Sequence, residues 1–183
     1  MTLIAKGCKQ NVNFAKRYSR YNTKMAENSL KYSKKVMQYF LHPKNVGEIK
    51  NADGIGKVGN PVCGDIMFVF IKVSKNKKGQ EIIKDIKFKT LGCAAAIATS
   101  SAVTEIAKGK TLPEALKIKN SDVVKFLGGL PPVKHHCSLL AEESLGEAIY
   151  DYLKKNKKSI SEDLEKKHQI AMNEVHEGQH KHD

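Results

Sequence analysis

Residues 65–109 read DIMFVFIKVSKNKKGQEIIKDIKFKTLGCAAAIATSSAVTEIAKG, and the change of pattern inside this stretch decides the fold class. Residues 65–73 are dense in β-branched and aromatic side chains, and residues 82–90 alternate Ile82, Lys84, Ile86 and Phe88 against Ile83, Asp85, Lys87 and Lys89. Both runs are strand-like, because a strand turns successive side chains to opposite faces. The polar 76–80 segment between them contains Gly79, so an antiparallel hairpin is expected. From Ala94 a run rich in small residues predicts a helix to Lys108, closed by Gly109. Strands followed by helices give an α+β class: a small antiparallel β-sheet packed against several helices.

Downstream, Thr111, Pro113 and Glu114 open a further helix with a T-x-x-E capping box, and a short helix over 121–127 ends at Gly128 and Gly129. Leu130, Pro131, Pro132, Val133 and Lys134 follow. Two adjacent prolines remove two donors, so this segment is expected to be extended, stiff and exposed. Residues 136–153 return to helix, with Leu139, Leu140, Leu145, Ala148, Ile149 and Tyr152 forming an apolar stripe. Upstream, Leu30, Val36, Met37, Phe40 and Leu41 recur at helical spacing, with Ser29 placed as the cap and Pro43 as the stop. Pro43, Gly47, Gly54, Gly56, Gly59, Pro61 and Gly64 make 43–64 a long loop by turn chemistry. Beyond Leu153 the chain is charged and without aromatics; His168, His176, His180 and His182 are expected there in a mobile polar tail. The expected organisation is a basic extension over 1–28, disordered or targeting, a domain over 29–153 and a charged, His-containing tail over 154–183.

The net charge of +13 raises the question of nucleic acid. Residues 1–24 hold six basic residues and no acid, whereas 25–152 carry 19 basic against 13 acidic. About half of the excess therefore belongs to one end, and the body has neither zinc-finger spacing nor an aromatic-rich basic platform. Nucleic acid is accordingly not an expected partner. No run approaches the length of a membrane span, so no membrane role is expected. Four cysteines occur at 8, 63, 93 and 137 without an apolar signal region after the first basic residues. A reducing compartment follows, where dispersed cysteines serve as ligands or nucleophiles. Cytoplasmic location is the expectation, or a mitochondrion-related organelle if residues 1–24 are a transit peptide.

Three cysteines share a context. Cys63 lies in GNPVCGD before the first strand, Cys93 follows Gly92 between strand and helix, and Cys137 follows His136 at the start of the last long helix. Thiolates at helix N-termini gain from free amide donors and partial positive charge, which predicts lowered pKa values for Cys93 and Cys137. Asp65 and His136 add a hard oxygen and an imidazole. Soft thiolates favour zinc or iron–sulfur clusters, and a stable electron-transfer cluster usually takes four of them. A weaker fourth donor makes the hold on iron labile.

The stretches HPKNVG at 42–47, GNPVCGD at 59–65, FKTLGCAAAIATSS at 88–101, KGKTLPEALKIKN at 108–120 and LPPVKHHCSLLAEE at 130–143 together resemble the IscU/NifU-type family of iron–sulfur cluster assembly scaffolds. The resemblance covers roughly residues 30–153. It implies a carrier rather than an enzyme, taking persulfide sulfur from a pyridoxal-phosphate cysteine desulfurase, iron from a donor and electrons from a ferredoxin-type reductant. A labile [2Fe-2S] cluster is built and passed to apo iron–sulfur proteins. By position it implies Cys63, Cys93 and Cys137 as the cluster cysteines, Asp65 and His136 as their partners, and Cys137 as the persulfide acceptor. It also implies that LPPVK, 130–134, is recognised by a DnaK-type chaperone with a J-protein. Zinc in the cluster-free form is expected on chemical grounds, since Cys, His and Asp are ordinary tetrahedral zinc ligands. Departures are His135, where the family has an apolar residue, and Ala94-Ala95, where many relatives have Gly-Ser. No C-terminal CxxC domain of the long NifU kind is present in the sequence. The rival readings are a zinc-dependent sulfurtransferase of SufU type, a structural or storage zinc domain and a basic nucleic-acid-binding protein. LPPVK before the third cysteine, without the SufU-type insertion, favours the scaffold.

Overall fold

In the computed structural model, residues 32–60 and 63–177 are described, with side chains as far as residue 172. Strands β1 (Gly54–Gly59), β2 (Ile66–Lys75) and β3 (Glu81–Leu91) form one antiparallel sheet in that order. The hairpin lies where the sequence puts it. Asn76 closes the turn: its N–H donates to the Gln80 carbonyl at 2.9 Å, and its side-chain oxygen accepts from Lys78 and Gln80. Gly79 supplies the left-handed residue at φ +76°.

The simple alternation expected in the second strand is broken. Lys72 pairs with Asp85 but Val73 pairs with Ile83, so Lys84 is an extra residue, a β-bulge. The bulge turns Ile83 inward along with Ile86 and Phe88, all three buried beside Met67, Val69 and Ile71. Each such fully buried side chain contributes about 1.5–3 kcal/mol relative to exposure.

Strand β1 corrects the expectation of one long loop over 43–64. Two of its three glycines are packing residues. A Cβ on Gly54 would lie 2.1 Å from the Ala148 carbonyl oxygen, and one on Gly56 would lie 2.1 Å from that of Ser144. Their absence lets a helix backbone lie directly on the strand.

Helix α1 (Lys34–Leu41) is capped by Ser33, whose hydroxyl accepts from the Val36 N–H at 3.1 Å. Ser29, expected as the cap, lies outside the described residues, as do Leu30 and the 1–24 segment. Helix α2 (Ala94–Ala107) is buried almost all round, which its alanines and small hydroxyls permit. Its hydroxyls are satisfied: Ser100 donates to the Ala96 carbonyl and Thr104 to that of Ser101, each at 2.7 Å. Helix α3 (Leu112–Ala115) carries the Thr111–Glu114 capping box, and α4 (Asn120–Phe126) follows.

Helix α5 (His135–Lys155) packs most extensively on β1 and also on β2 and α2. Leu140, Leu145, Ala148, Ile149 and Tyr152 face the core, whereas Leu139, assigned to the same stripe, is 44% exposed. A last helix, α6 (Glu162–Glu177), stands where composition suggested a mobile tail. Leu164 and Ala171 are buried, and His168 stacks on Tyr150 at 3.8 Å while its Nδ1 pairs with Glu147 at 2.8 Å. The contact escapes notice in the sequence because Leu164 and the short Ile170-Ala171-Met172 run stand in an otherwise charged segment. No helix of the described residues is long and apolar enough to cross a membrane.

Candidate metal centre

The site is built by three chain-distant junctions at one end of the sheet. The first joins β1 to β2, where Asn60 and residues 63–65 are described. Asn60 N–H donates to the Asp65 carbonyl at 2.9 Å, Gly64 N–H donates to the Asn60 carbonyl at 2.8 Å, and Cys63 N–H donates to the Asn60 side-chain oxygen at 3.3 Å. Gly64 adopts φ +73°, the left-handed conformation that closes this turn. Cys63 is left exposed on it and Asp65 is buried at its end.

The second junction is Gly92-Cys93, between β3 and α2. Cys93 is the N-cap of α2 with an extended backbone, and its side chain makes no capping bond, so the sulfur is free to face across the site. The third is the start of α5, where Cys137 occupies the third helical position and is fully buried.

Cys93 Sγ lies 3.6 Å from Cys137 Sγ, and the Cys137 thiol donates to Asp65 Oδ2 at 3.7 Å. Two thiolates bound at about 2.3 Å to one tetrahedral zinc would stand about 3.8 Å apart, close to these separations. One donor atom from each of Asp65, Cys93 and Cys137 lies within 4.8 Å of the others, and the same holds for Cys63, Asp65 and His136. Asp65 belongs to both triads. Among the described residues, His136 Nε2 is buried with no hydrogen-bond partner, which leaves this ring nitrogen available to coordinate. The donor set is chemically suited to a soft or borderline metal such as iron or zinc.

The NifU-like N-terminal domain family matches residues 31–159. The chain belongs to that family. Among its relatives, the iron–sulfur cluster assembly scaffold protein IscU 1 of Archaeoglobus fulgidus is 59% identical over 127 residues, 69% of this chain and 80% of the relative. The scaffold protein IscU of Aquifex aeolicus is 48% identical over 127 residues, 69% of this chain and 79% of its own. The mitochondrial iron sulfur cluster assembly protein 1 of Debaryomyces hansenii is 48% identical over 134 residues, 72% of each chain. The crystal structure of a cluster assembly scaffold protein for the SUF system of Fervidobacterium islandicum superposes with a TM-score of 0.52 at 25% identity, covering 64% of this chain and 96% of that one. A NifU-like N-terminal structure from Brucella abortus, at 19% identity, shares the fold with a TM-score of 0.53 over 67% of this chain and 94% of its own.

Within this NifU-like domain the Cys137 thiol does not behave as helix position alone predicts. Burial, then Cys93 and Asp65 nearby, push the Cys137 thiol well above its ordinary value of 9.0. The lowered pKa expected for Cys137 is therefore corrected: desolvation and neighbouring negative charge outweigh the helix dipole. Lys134 works the other way on Cys137, and its own pKa is raised, chiefly by Cys93. The Tyr32 hydroxyl is raised by burial first and by Cys93 next. Lys134 and Tyr32 thus stand within electrostatic reach of the sulfurs. Tyr32 carries no signal in the sequence, and Lys134 carries one only as part of LPPVK.

LPPVK also differs from expectation. Pro132–Lys134 is a single 3-10 turn, closed by Lys134 N–H donating to the Pro131 carbonyl at 2.8 Å. Proline fits the first position of such a turn because no donor is needed there. Leu130 is buried, Pro132 is exposed and Val133 is 64% exposed. His135 is exposed, and its Nε2 pairs with the Leu130 carbonyl at 3.1 Å, away from the donor triads.

Proposed function

We propose that this chain is a scaffold on which a labile [2Fe-2S] cluster is assembled and from which it is passed to apo-proteins. The observation that carries the reading is the division of the donors into two triads that share Asp65, a layout suited to two adjacent irons. The Archaeoglobus and Aquifex relatives, at 59% and 48% identity, are named as cluster assembly scaffolds, which supports the same conclusion. Cys63, Cys93 and Cys137 would hold the irons through thiolate, with Asp65 and His136 as the harder donors that keep the complex exchangeable.

Iron is the cargo, sulfur the second substrate, and both come from partners: an iron donor, a ferredoxin-type reductant and a cysteine desulfurase. Cys137 is the proposed acceptor. Its thiolate would attack the terminal sulfur of the desulfurase persulfide, forming a new S–S bond while the desulfurase leaves as thiolate. Two conditions follow from its environment: the buried sulfur has to be uncovered, and its proton removed. A metal ion meets the second condition by taking the proton's place on sulfur. Release would involve a DnaK-type chaperone and its J-protein at Leu130, Pro131, Pro132, Val133 and Lys134, of which Val133 offers an exposed apolar side chain. In this reading the chain is a carrier rather than an enzyme, a role that the scaffold naming of its relatives supports.

Zinc-dependent sulfur transfer is the second reading, favoured by sulfur and carboxylate separations that also fit one zinc ion. One experiment separates the two. Metal-free protein is mixed anaerobically with ferrous iron, cysteine, reductant and desulfurase, and visible absorption, iron and acid-labile sulfide are followed. Coloured protein with iron and sulfide in equal amounts supports the scaffold. Persulfide on the chain without colour, with zinc retained, removes it.

A further inference from the structure

We propose that Thr99 is a positioning residue for this centre, holding the Cys137 backbone so that the Cys137 sulfur stays within ligand distance of Cys93 and Asp65. The inference rests on the metal reading above. Thr99 is fully buried in α2, and its hydroxyl lies 3.0 Å from the carbonyl of Cys137 and 3.1 Å from that of Ala96. It has one hydrogen to donate, shared between its own helix and α5.

The other buried hydroxyls of α2 serve different neighbours. Ser100 bonds within α2, Ser101 bonds the backbone of Lys44, and Thr104 bonds the Ser101 carbonyl and accepts from the Asn45 side chain. Among these described hydroxyls, Thr99 alone is bonded to α5. Helix α2 carries Cys93 at its N-cap and α5 carries Cys137 in its first turn, so this bond joins the two rigid elements that supply the close sulfur pair. A carbonyl oxygen has two lone pairs; the helix uses one, and the side of Cys137 O facing α2 is open to a second donor. Such outer partners fix ligand geometry, and their removal typically lowers metal affinity by about 10–100-fold.

The test uses the full metal-free chain, titrated anaerobically with Co2+, whose thiolate charge-transfer and d–d bands report ligand geometry. Thr99→Val keeps the shape and removes the donor; Thr99→Ala removes it without a new methyl against the carbonyl; Thr99→Ser keeps it. Ser100→Ala is the control for loss of a buried hydroxyl elsewhere on the helix. The expected result is that Thr99→Val and Thr99→Ala both bind Co2+ about tenfold more weakly with shifted d–d bands, while Thr99→Ser and Ser100→Ala stay within about twofold of wild type with unchanged bands. If Thr99→Val fails to fold, as shown by the metal-free circular dichroism, Thr99→Ala against Thr99→Ser decides. The inference is overturned if the hydroxyl-free variants bind and absorb like wild type, if Thr99→Ser fails as they do, or if Ser100→Ala loses as much. Wild-type protein that develops no thiolate bands with Co2+ overturns the metal reading itself, a different result.

Discussion

A Cβ on Gly92 would sit 2.8 Å from Asp65 Cγ and 2.9 Å from Asp65 Oδ1, so the carboxylate common to both donor triads occupies space that only glycine leaves free. Ala96 Cβ closes the same space from the α2 side, at 2.9 Å. The junction that presents Cys93 therefore also admits Asp65.

Gly92→Ala is expected to push Asp65 away from Cys137 and weaken binding of Zn2+ by about tenfold, the scale of a displaced ligand support. Competition against a chromophoric chelator measures this. Equal affinity in the variant would show that the Asp65 position is not set by Gly92.

Asp65→Ala is expected to form a cluster that is released more slowly than that of wild type, because it removes one of the two harder donors that keep the complex exchangeable. Transfer of visible absorption to an apo-ferredoxin, timed by stopped mixing, checks the order. Release as fast as wild type would remove this account of lability.

On β1, Gly54→Ala or Gly56→Ala would place a methyl against an α5 carbonyl that cannot rotate away. Each is expected to destabilise by at least about 1–3 kcal/mol, the usual range of overpacking. Urea unfolding of the metal-free protein gives the value, and an unchanged midpoint would contradict the close strand-to-helix approach.

Acid should weaken the fold through Glu81 and Asp85. Lys158 and Tyr152 hold Glu81 below its ordinary 4.5, and Lys108, bonded at 2.7 Å, holds Asp85 below 3.8. Depressed values mean that the unfolded chain binds more protons, so this stabilisation is complete above about pH 5 and is lost as pH falls through the lower folded values. Lys158 has the opposite sign: raised above 10.5, chiefly by Glu81, it stabilises below that pH and ceases to as pH rises through its folded value. Urea midpoints across pH should fall at both extremes, and Glu81→Gln should flatten the acid limb. An acid limb of unchanged steepness in that variant would exclude the Glu81 contribution.

Truncating Leu164 to alanine tests the attachment of α6. Its side chain is 4% exposed, and its loss is expected to cost about 2–5 kcal/mol, less if the gap closes. Amide exchange along Glu162–Glu177 should speed up; exchange unchanged from wild type would mean that α6 holds to α5 without this residue.

What the sequence by itself determined was everything set by local pattern: the 65–91 hairpin, the small-residue helix after Cys93, the Thr111–Glu114 cap, and which residues bring sulfur, oxygen and imidazole to element ends. Period and capping are properties of neighbouring residues, so one chain suffices to read them. The tertiary structure decided what depends on contact between distant segments. Gly54 and Gly56 look like turn residues until α5 is laid on them, and Leu164 looks solvated until α6 packs onto the domain and buries it. Cys137 stands at a helix start, which argues for a low pKa, but burial beside Cys93 and Asp65 reverses the sign. Thr99 is one small residue among many until its hydroxyl meets the Cys137 carbonyl. Solvation, charge and hydrogen bonding act through space, and only the folded chain fixes those distances.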